Sequence, residues 1–295
     1  MKQTKTLVCT GAAGFIAHHL IDRAQEEGWH VIGVDKRPIS HYHTQPNEFI
    51  QADVFDLKFR DLQGVDAVVH LAWRTNIGDC IRHPESSARD NINMTLHLLE
   101  VCKEAKIEKF IFPSTASLYS HNTIPWTEDM TVEPIEPYSW HKLACEQLCE
   151  MYSKQYGVPS VVLRFFQVFG ELQREDTVIS IFQKLIKAGK TLTLTETKNP
   201  EECKSGQRDF IYAGDLAIAI MLAIKANASK AEIINICSGK LTSIEKVAKT
   251  MGGKIGWIPT RPYDVDVHEG SNKKAKSLLN WEPKIDVIKW LKKLK

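Results

Sequence analysis

Tyr138 and Lys142 stand four residues apart in Tyr138-Ser139-Trp140-His141-Lys142, a spacing that stacks two side chains on one helical face. A phenol titrates near a pKa of about 10 and is a poor base at neutral pH until a nearby ammonium stabilises the phenolate. Such pairs also arise by chance on surface helices, so their meaning depends on what else stands close. Thr115 supplies a second element. It ends the apolar run Phe110-Ile111-Phe112-Pro113-Ser114-Thr115, which reads as a parallel strand, and ligands bind beyond the carboxyl ends of such strands.

A third constellation is Thr10-Gly11-Ala12-Ala13-Gly14-Phe15-Ile16-Ala17, which follows one predicted strand and opens a helix. There, exposed backbone N–H groups and the positive end of the helix dipole suit a pyrophosphate. Ala17 holds the third glycine position and is small enough for close packing of helix on strand. Val34-Asp35 closes the next strand, where a carboxylate accepts the ribose hydroxyls of NAD and repels a 2′-phosphate. Lys36 and Arg37 pull toward the phosphorylated cofactor, but Asp35 at the strand end favours NAD. Asp53, after Phe49-Ile50-Gln51-Ala52, serves either the adenine amine or a loop cap.

These groups need a scaffold, and apolar runs alternate with amphipathic windows throughout the first half of the chain. Strands are predicted at 6–9, 30–35, 49–52, 67–71, 109–113 and 160–166, with helices at 14–27, 84–105 and 138–156. Unbroken apolar stretches such as Val68-Val69-His70-Leu71-Ala72 suit strands buried on both faces. A doubly wound α/β parallel sheet of Rossmann type follows. Beyond Gly170 the pattern loosens into a helix at 177–188, a strand at 191–195, a polar mobile loop at 196–207 and a strand at 232–236. The expected division is a cofactor-binding domain over 1–166, rejoined by 208–236, and a smaller C-terminal α/β substrate lobe from 167–207 and 237–295.

Composition excludes several classes. With 38 basic and 36 acidic residues the net charge is only +2, too balanced for a nucleic-acid footprint. The Lys-rich stretch 289–295 interleaves Trp290, Leu291 and Leu294, as an amphipathic helix does. No apolar window approaches a membrane span and no secretory leader is visible, so a cytoplasmic protein without membrane or nucleic-acid partners is expected. Seven cysteines without a C-x-x-C pair point to reduced core thiols, with no disulfide framework and no metal site.

Further segments give these residues a family setting. The chain resembles the extended short-chain dehydrogenases/reductases, in their nucleotide-sugar epimerase/dehydratase branch, over nearly its whole length. The turn at Thr10 to Ala17 is similar to T-G-x-x-G-x-x-G, and His70-Leu71-Ala72 to H-x-A-A. Ser114 to Tyr119 resembles S-[ST]-x-x-V-Y, Tyr138 and Lys142 match Y-x-x-x-K, Leu163-Arg164 the L-R strand, and Arg208 to Tyr212 R-D-[FY]-[IV]-[HY]. The resemblance implies NAD against Gly11, Ala13, Gly14, Phe15, Ile16, Asp35, Lys36, Asp53, Val54, Leu71, Ala72, Trp73, Asn91, Tyr138 and Lys142. It implies a nucleotide-diphosphate sugar against Thr75, Thr115, Ser117, Gln167, Arg208 and Arg261, the two arginines on the diphosphate, and a homodimer formed by the helices at 84–105 and 138–156.

Departures from the pattern refine the expected reaction. Trp73 replaces a usual alanine, Gln167 an asparagine and Ser120 a glycine. Ala116-Ser117 follow Thr115 where dehydratases carry Asp-Glu, and decarboxylating relatives likewise carry a glutamate there. The resemblance therefore implies a 4-epimerase, with Thr115 placing the sugar oxygen, Tyr138 taking its proton and Lys142 supporting the phenolate. The alternatives are a one-way 4-dehydrogenase or 4-keto reductase, and a non-catalytic NAD sensor or scaffold.

Overall fold

The computed structural model describes residues 4–120, 122–201, 203–228, 230–260 and 265–294. Its centre is a seven-stranded sheet of β1 (Thr6–Thr10), β2 (His30–Asp35), β3 (Glu48–Gln51), β4 (Ala67–His70), β5 (Lys109–Thr115), β6 (Ser160–Phe165) and β10 (Glu232–Ile236). The strands run β10-β6-β5-β4-β1-β2-β3. Every pairing is parallel. The chain winds outward from β1 in both directions, so the order reverses between β1 and β4, and a crevice forms at such a switch point.

Helices cover both faces because β4, β5 and β6 are buried along their whole length. On one side α1 (Phe15–Glu26) packs against α7 (Ala213–Lys225), burying Leu20, Ile21, Leu216 and Ile220. The other side carries α2 (Ile77–Arg82), α3 (Pro84–Ala88), α4 (Met94–Ala105) and α5 (Pro137–Tyr156). Here Leu98, Leu99, Cys102, Cys145 and Cys149 form the second core. All seven cysteines are unpaired and six are buried.

A smaller layer is built on β9 (Gln207–Tyr212), which pairs with β7 (Gln167–Phe169), β11 (Leu241–Ser243) and β13 (Val267–His268). Beside it β8 (Leu192–Thr195) pairs with β12 (Ile255–Ile258). The remaining helices are α6 (Val178–Lys187), α8 (Ile244–Met251), α9 (Lys273–Leu279) and α10 (Val287–Lys293). Phe169, Phe182, Leu194, Val247 and Trp290 make the core of this layer.

Three expectations are corrected. The helix predicted at 84–105 is broken by a π turn at Arg89–Asn93, which centres on Asn91. The chain rejoins the large sheet with α7 and β10 rather than at Arg208, because Gln207–Tyr212 belongs to the small sheet. The polar stretch 196–207 is closed rather than loose. Glu196 bridges Ser205 antiparallel, Thr197 N–H donates to Lys204 C=O at 3.2 Å, and Gln207 already starts β9. No helix among the described residues is long and apolar enough to cross a membrane.

Candidate functional site

A cleft of about 1100 Å³ opens along the carboxyl ends of the central strands. It exceeds the ~300–1,000 Å³ of a pocket for a drug-sized molecule. At one end, β1 runs into Gly11, whose φ of +70° lies in the left-handed region. A side chain there would meet Ala72 N at 2.6 Å, so glycine is required twice over. Gly14 precedes α1 without a capping side chain, which leaves the first-turn N–H groups of α1 to the cleft. The Asp35 carboxylate accepts from Ala13 N–H at 3.1 Å and Arg37 N–H at 2.9 Å. The Arg37 guanidinium folds back onto Asp35 at 3.4 Å, so its charge is turned toward the carboxylate. Asp53 caps the turn Val54–Asp56 by accepting from Phe55 N–H at 3.2 Å while still lining the cleft.

The loop after β4 is held from both sides. Thr10 Oγ1 lies 2.8 Å from His70 Nδ1 and accepts from Ala72 N–H at 3.2 Å. Asn91 Oδ1 accepts from Arg74 N–H at 2.9 Å, and Asn91 Nδ2 donates to Arg74 C=O at 3.3 Å. The π turn brings Asn91 to this loop. Burial pushes His70 down to about 3, with the Lys142 charge acting in the same direction, so the imidazole is neutral.

Tyr138 occupies the first turn of α5. Pro137 begins that helix, and Glu136 caps it by accepting from Tyr138 N–H at 2.6 Å and Ser139 N–H at 3.0 Å. Burial pushes the Tyr138 phenol up to about 12, while a hydrogen bond with Thr115 and the charge of Arg174 oppose the rise. Thr115 ends β5 and caps the following turn, accepting from Ser117 N–H at 3.2 Å. Lys142 is only 4% exposed. Its ammonium donates to Pro113 C=O at 2.6 Å and lies 3.6 Å from the centre of the Trp73 ring. Burial brings its pKa down to about 7. Lys142 is thus engaged with a carbonyl and aromatic faces, whereas the sequence spacing predicts that it lowers the Tyr138 pKa.

Beneath the site, Arg164 forks onto Glu146 at 2.9 and 2.7 Å, and Ser114 Oγ donates to Glu146 Oε1 at 2.5 Å. Both side chains of this ion pair are nearly inaccessible, at 3% and 4%.

The cleft collects Gly11, Ala13, Gly14, Phe15, Ile16, Asp35, Lys36, Asp53, Val54, Leu71, Ala72, Trp73, Thr75, Asn91, Thr115, Ser117, Tyr138, Lys142 and Gln167. Arg208 is not among the residues that line the cleft. It is in register with His268, and its guanidinium donates to Gln207 C=O at 2.9 Å and Asp266 C=O at 3.1 Å. Arg261 lies outside the described residues. Sequence reasoning missed Arg74, Phe166, Leu172, Arg174, Thr177 and His268, all of which line the cleft.

The sequence profile of the NAD dependent epimerase/dehydratase family matches residues 7–237. The chain belongs to the NAD-dependent epimerase/dehydratase family. Among its relatives in this family, the UDP-glucuronate 4-epimerase of Thermodesulfobacterium geofontis is 31% identical, covering 96% of this chain and 93% of that protein. A UDP-N-acetylglucosamine 4-epimerase from Methanobrevibacter ruminantium M1, solved with UDP-N-acetylmuramic acid, superposes with a TM-score of 0.89 at 26% identity, covering 98% and 96% of the two chains. The UDP-glucuronic acid 4-epimerase of Bacillus cereus, solved with UDP-glucuronic acid and NAD, gives 0.86 at 28% identity, covering 98% and 100%. The turn at Gly11, the Asp35 carboxylate and the open N-terminus of α1 fit the dinucleotide that the family uses.

Proposed function

We propose that this protein is an NAD-dependent 4-epimerase of a nucleotide-diphosphate sugar, acting by transient oxidation at a sugar hydroxyl. The observation that carries the reading is the meeting of Tyr138 and Thr115 in the same cleft as the glycine turn and Asp35. Bound NAD would supply the reversible hydride acceptor for the sugar carbon. The first-turn N–H groups of α1 would hold its pyrophosphate and Asp35 its adenosine ribose. Thr115 orients the sugar oxygen, and Tyr138 takes its proton and gives it back. Because burial raises Tyr138 to about 12, a positive charge near its oxygen is needed to make it a base; the Arg174 charge opposes the rise, though its guanidinium is forked onto Asp176 at 2.9 and 3.1 Å. Ala116 and Ser117 follow Thr115, so no carboxylate there drives elimination of water.

On the substrate side the roles fall to Thr75, Ser117 and Gln167 in the cleft; Arg208 and Arg261 are the arginines for the diphosphate, and Arg208 would have to turn its guanidinium from the carbonyls of Gln207 and Asp266 to reach it. Residues 1–166 with 213–236 serve the cofactor and the remainder serves the substrate. A homodimer through α4 and α5 is supported by the exposed apolar side chains Leu96, Trp140 and Met151 on these adjoining helices. The unpaired thiols suit a reducing, cytoplasmic setting.

Incubation with NAD and UDP-, GDP-, dTDP- or CDP-hexoses, read by NMR, should show the C4 epimer of one of them without accumulation of reduced cofactor. Tyr138→Phe should abolish that turnover and leave NAD binding intact. Net NADH production would instead assign a dehydrogenase, and full activity in Tyr138→Phe would overturn the mechanism.

A further inference from the structure

Lys142 carries a positive charge into a buried place where, among the described residues, no carboxylate stands within ion-pair distance. Glu146, one turn along the same helix, has both oxygens taken up by Arg164 and Ser114. The ammonium's close partners are Pro113 C=O at 2.6 Å, the Trp73 ring at 3.6 Å and the Phe112 ring at 4.8 Å. A cation over an indole face is attracted by the ring quadrupole, and the attraction grows when water is excluded.

Trp73 is fixed for this task. Its neighbours Ala72 and Arg74 are tied by backbone hydrogen bonds to Thr10 and Asn91. Its ring packs edge-on against Phe112, with centroids 5.7 Å apart and planes at 66°. The buried Trp73 Nε1 has no hydrogen-bond partner among the described residues, so the faces of the indole and not its N–H hold it in place. Trp73 and Lys142 both line the cleft that contains Tyr138 and Thr115.

We propose that Trp73 is a positioning residue whose indole face seats the Lys142 ammonium at the reacting end of the cleft. The proposal rests on the reading of this cleft as the redox site, but its primary test does not need turnover. Two variants separate ring from bulk: Trp73→Phe keeps an aromatic face without the unpartnered N–H, and Trp73→Leu keeps apolar bulk without a face.

Acylation of Lys142 by a water-soluble amine-reactive ester, quantified by peptide mass spectrometry, reports how firmly the ammonium is held. Trp73→Leu should label about tenfold faster than the wild type, and Trp73→Phe within about twofold of it. With an active sugar nucleotide, Trp73→Leu should lose about tenfold in kcat with little change in KM, and Trp73→Phe should recover most of the loss. Equal labelling of wild type and Trp73→Leu overturns the proposal, as does equal behaviour of the Phe and Leu variants. Absence of turnover on every sugar nucleotide would remove the proposed function, while the labelling result would still decide the seat of Lys142.

Discussion

At the scale of single residues, the features legible in the sequence are those whose chemistry is fixed by backbone position. Gly11 is required by its positive φ and by the nearness of Ala72 N, and Asp35 by its place at the end of β2. Lys142 was legible as a residue but not as an environment, because the helix fixes its Cβ while the rotamer of a four-carbon stem sends the ammonium to Pro113 and Trp73. Its pKa, brought down to about 7, carries a consequence for stability. A lysine disfavoured as a cation in the folded state costs stability at low pH, where both states are protonated. That cost fades as pH rises from about 7 toward the unfolded value near 10.5. Lys142→Met should therefore gain melting temperature relative to the wild type more at about pH 6 than at about pH 9. A difference in melting temperature that does not vary with pH would contradict the burial of a charged Lys142.

At the scale of elements, strands β1 to β6 were readable because each is a short apolar run between turn residues, and the helix of Tyr138 because Pro137 and Gly157 mark its ends. The π turn at Arg89–Asn93 was not, since helical periodicity continues through it and one extra residue per turn leaves no compositional mark. Nor was the small sheet, whose pairing of β9 with β7 and β13 joins segments far apart in sequence. β6 is tied to α5 by the buried ion pair of Arg164 on Glu146, with Tyr119 stacked 4.8 Å from the guanidinium. Removing one partner strands the other without water. Glu146→Ala should cost about 3–5 kcal/mol in denaturant unfolding, far more than Glu150→Ala, whose partner Lys154 lies on the exposed surface of the same helix. Equal costs at the two positions would refute the account.

At the scale of the whole molecule, the cleft is closed by residues that meet only when the small layer docks on the large one. His268 from β13 and Arg174 from the segment after β7 were therefore invisible to local pattern. Burial pushes His268 well down, with the Arg208 charge adding to the effect. The other long-range feature is the apolar surface on α4 and α5, where Trp140 is 57% exposed. The proposed dimer would cover Leu96, Trp140 and Met151 there. Met151→Asp should convert a dimer into a monomer by light scattering after size exclusion; a wild type that is already monomeric removes the interface.

Glu171 joins these parts at a single point. Its carboxylate accepts from Tyr212 Oη at 2.7 Å and from Trp290 Nε1 at 2.8 Å, and its carbonyl lies 3.1 Å from His19 Nε2. Three residues further on, Arg174 lines the cleft. Fraying of the helix bearing Trp290 would remove one of the three contacts that hold the base of that segment. A ligand that steadies Arg174 should then slow hydrogen exchange in α10, a helix on the far side of Glu171 from the cleft.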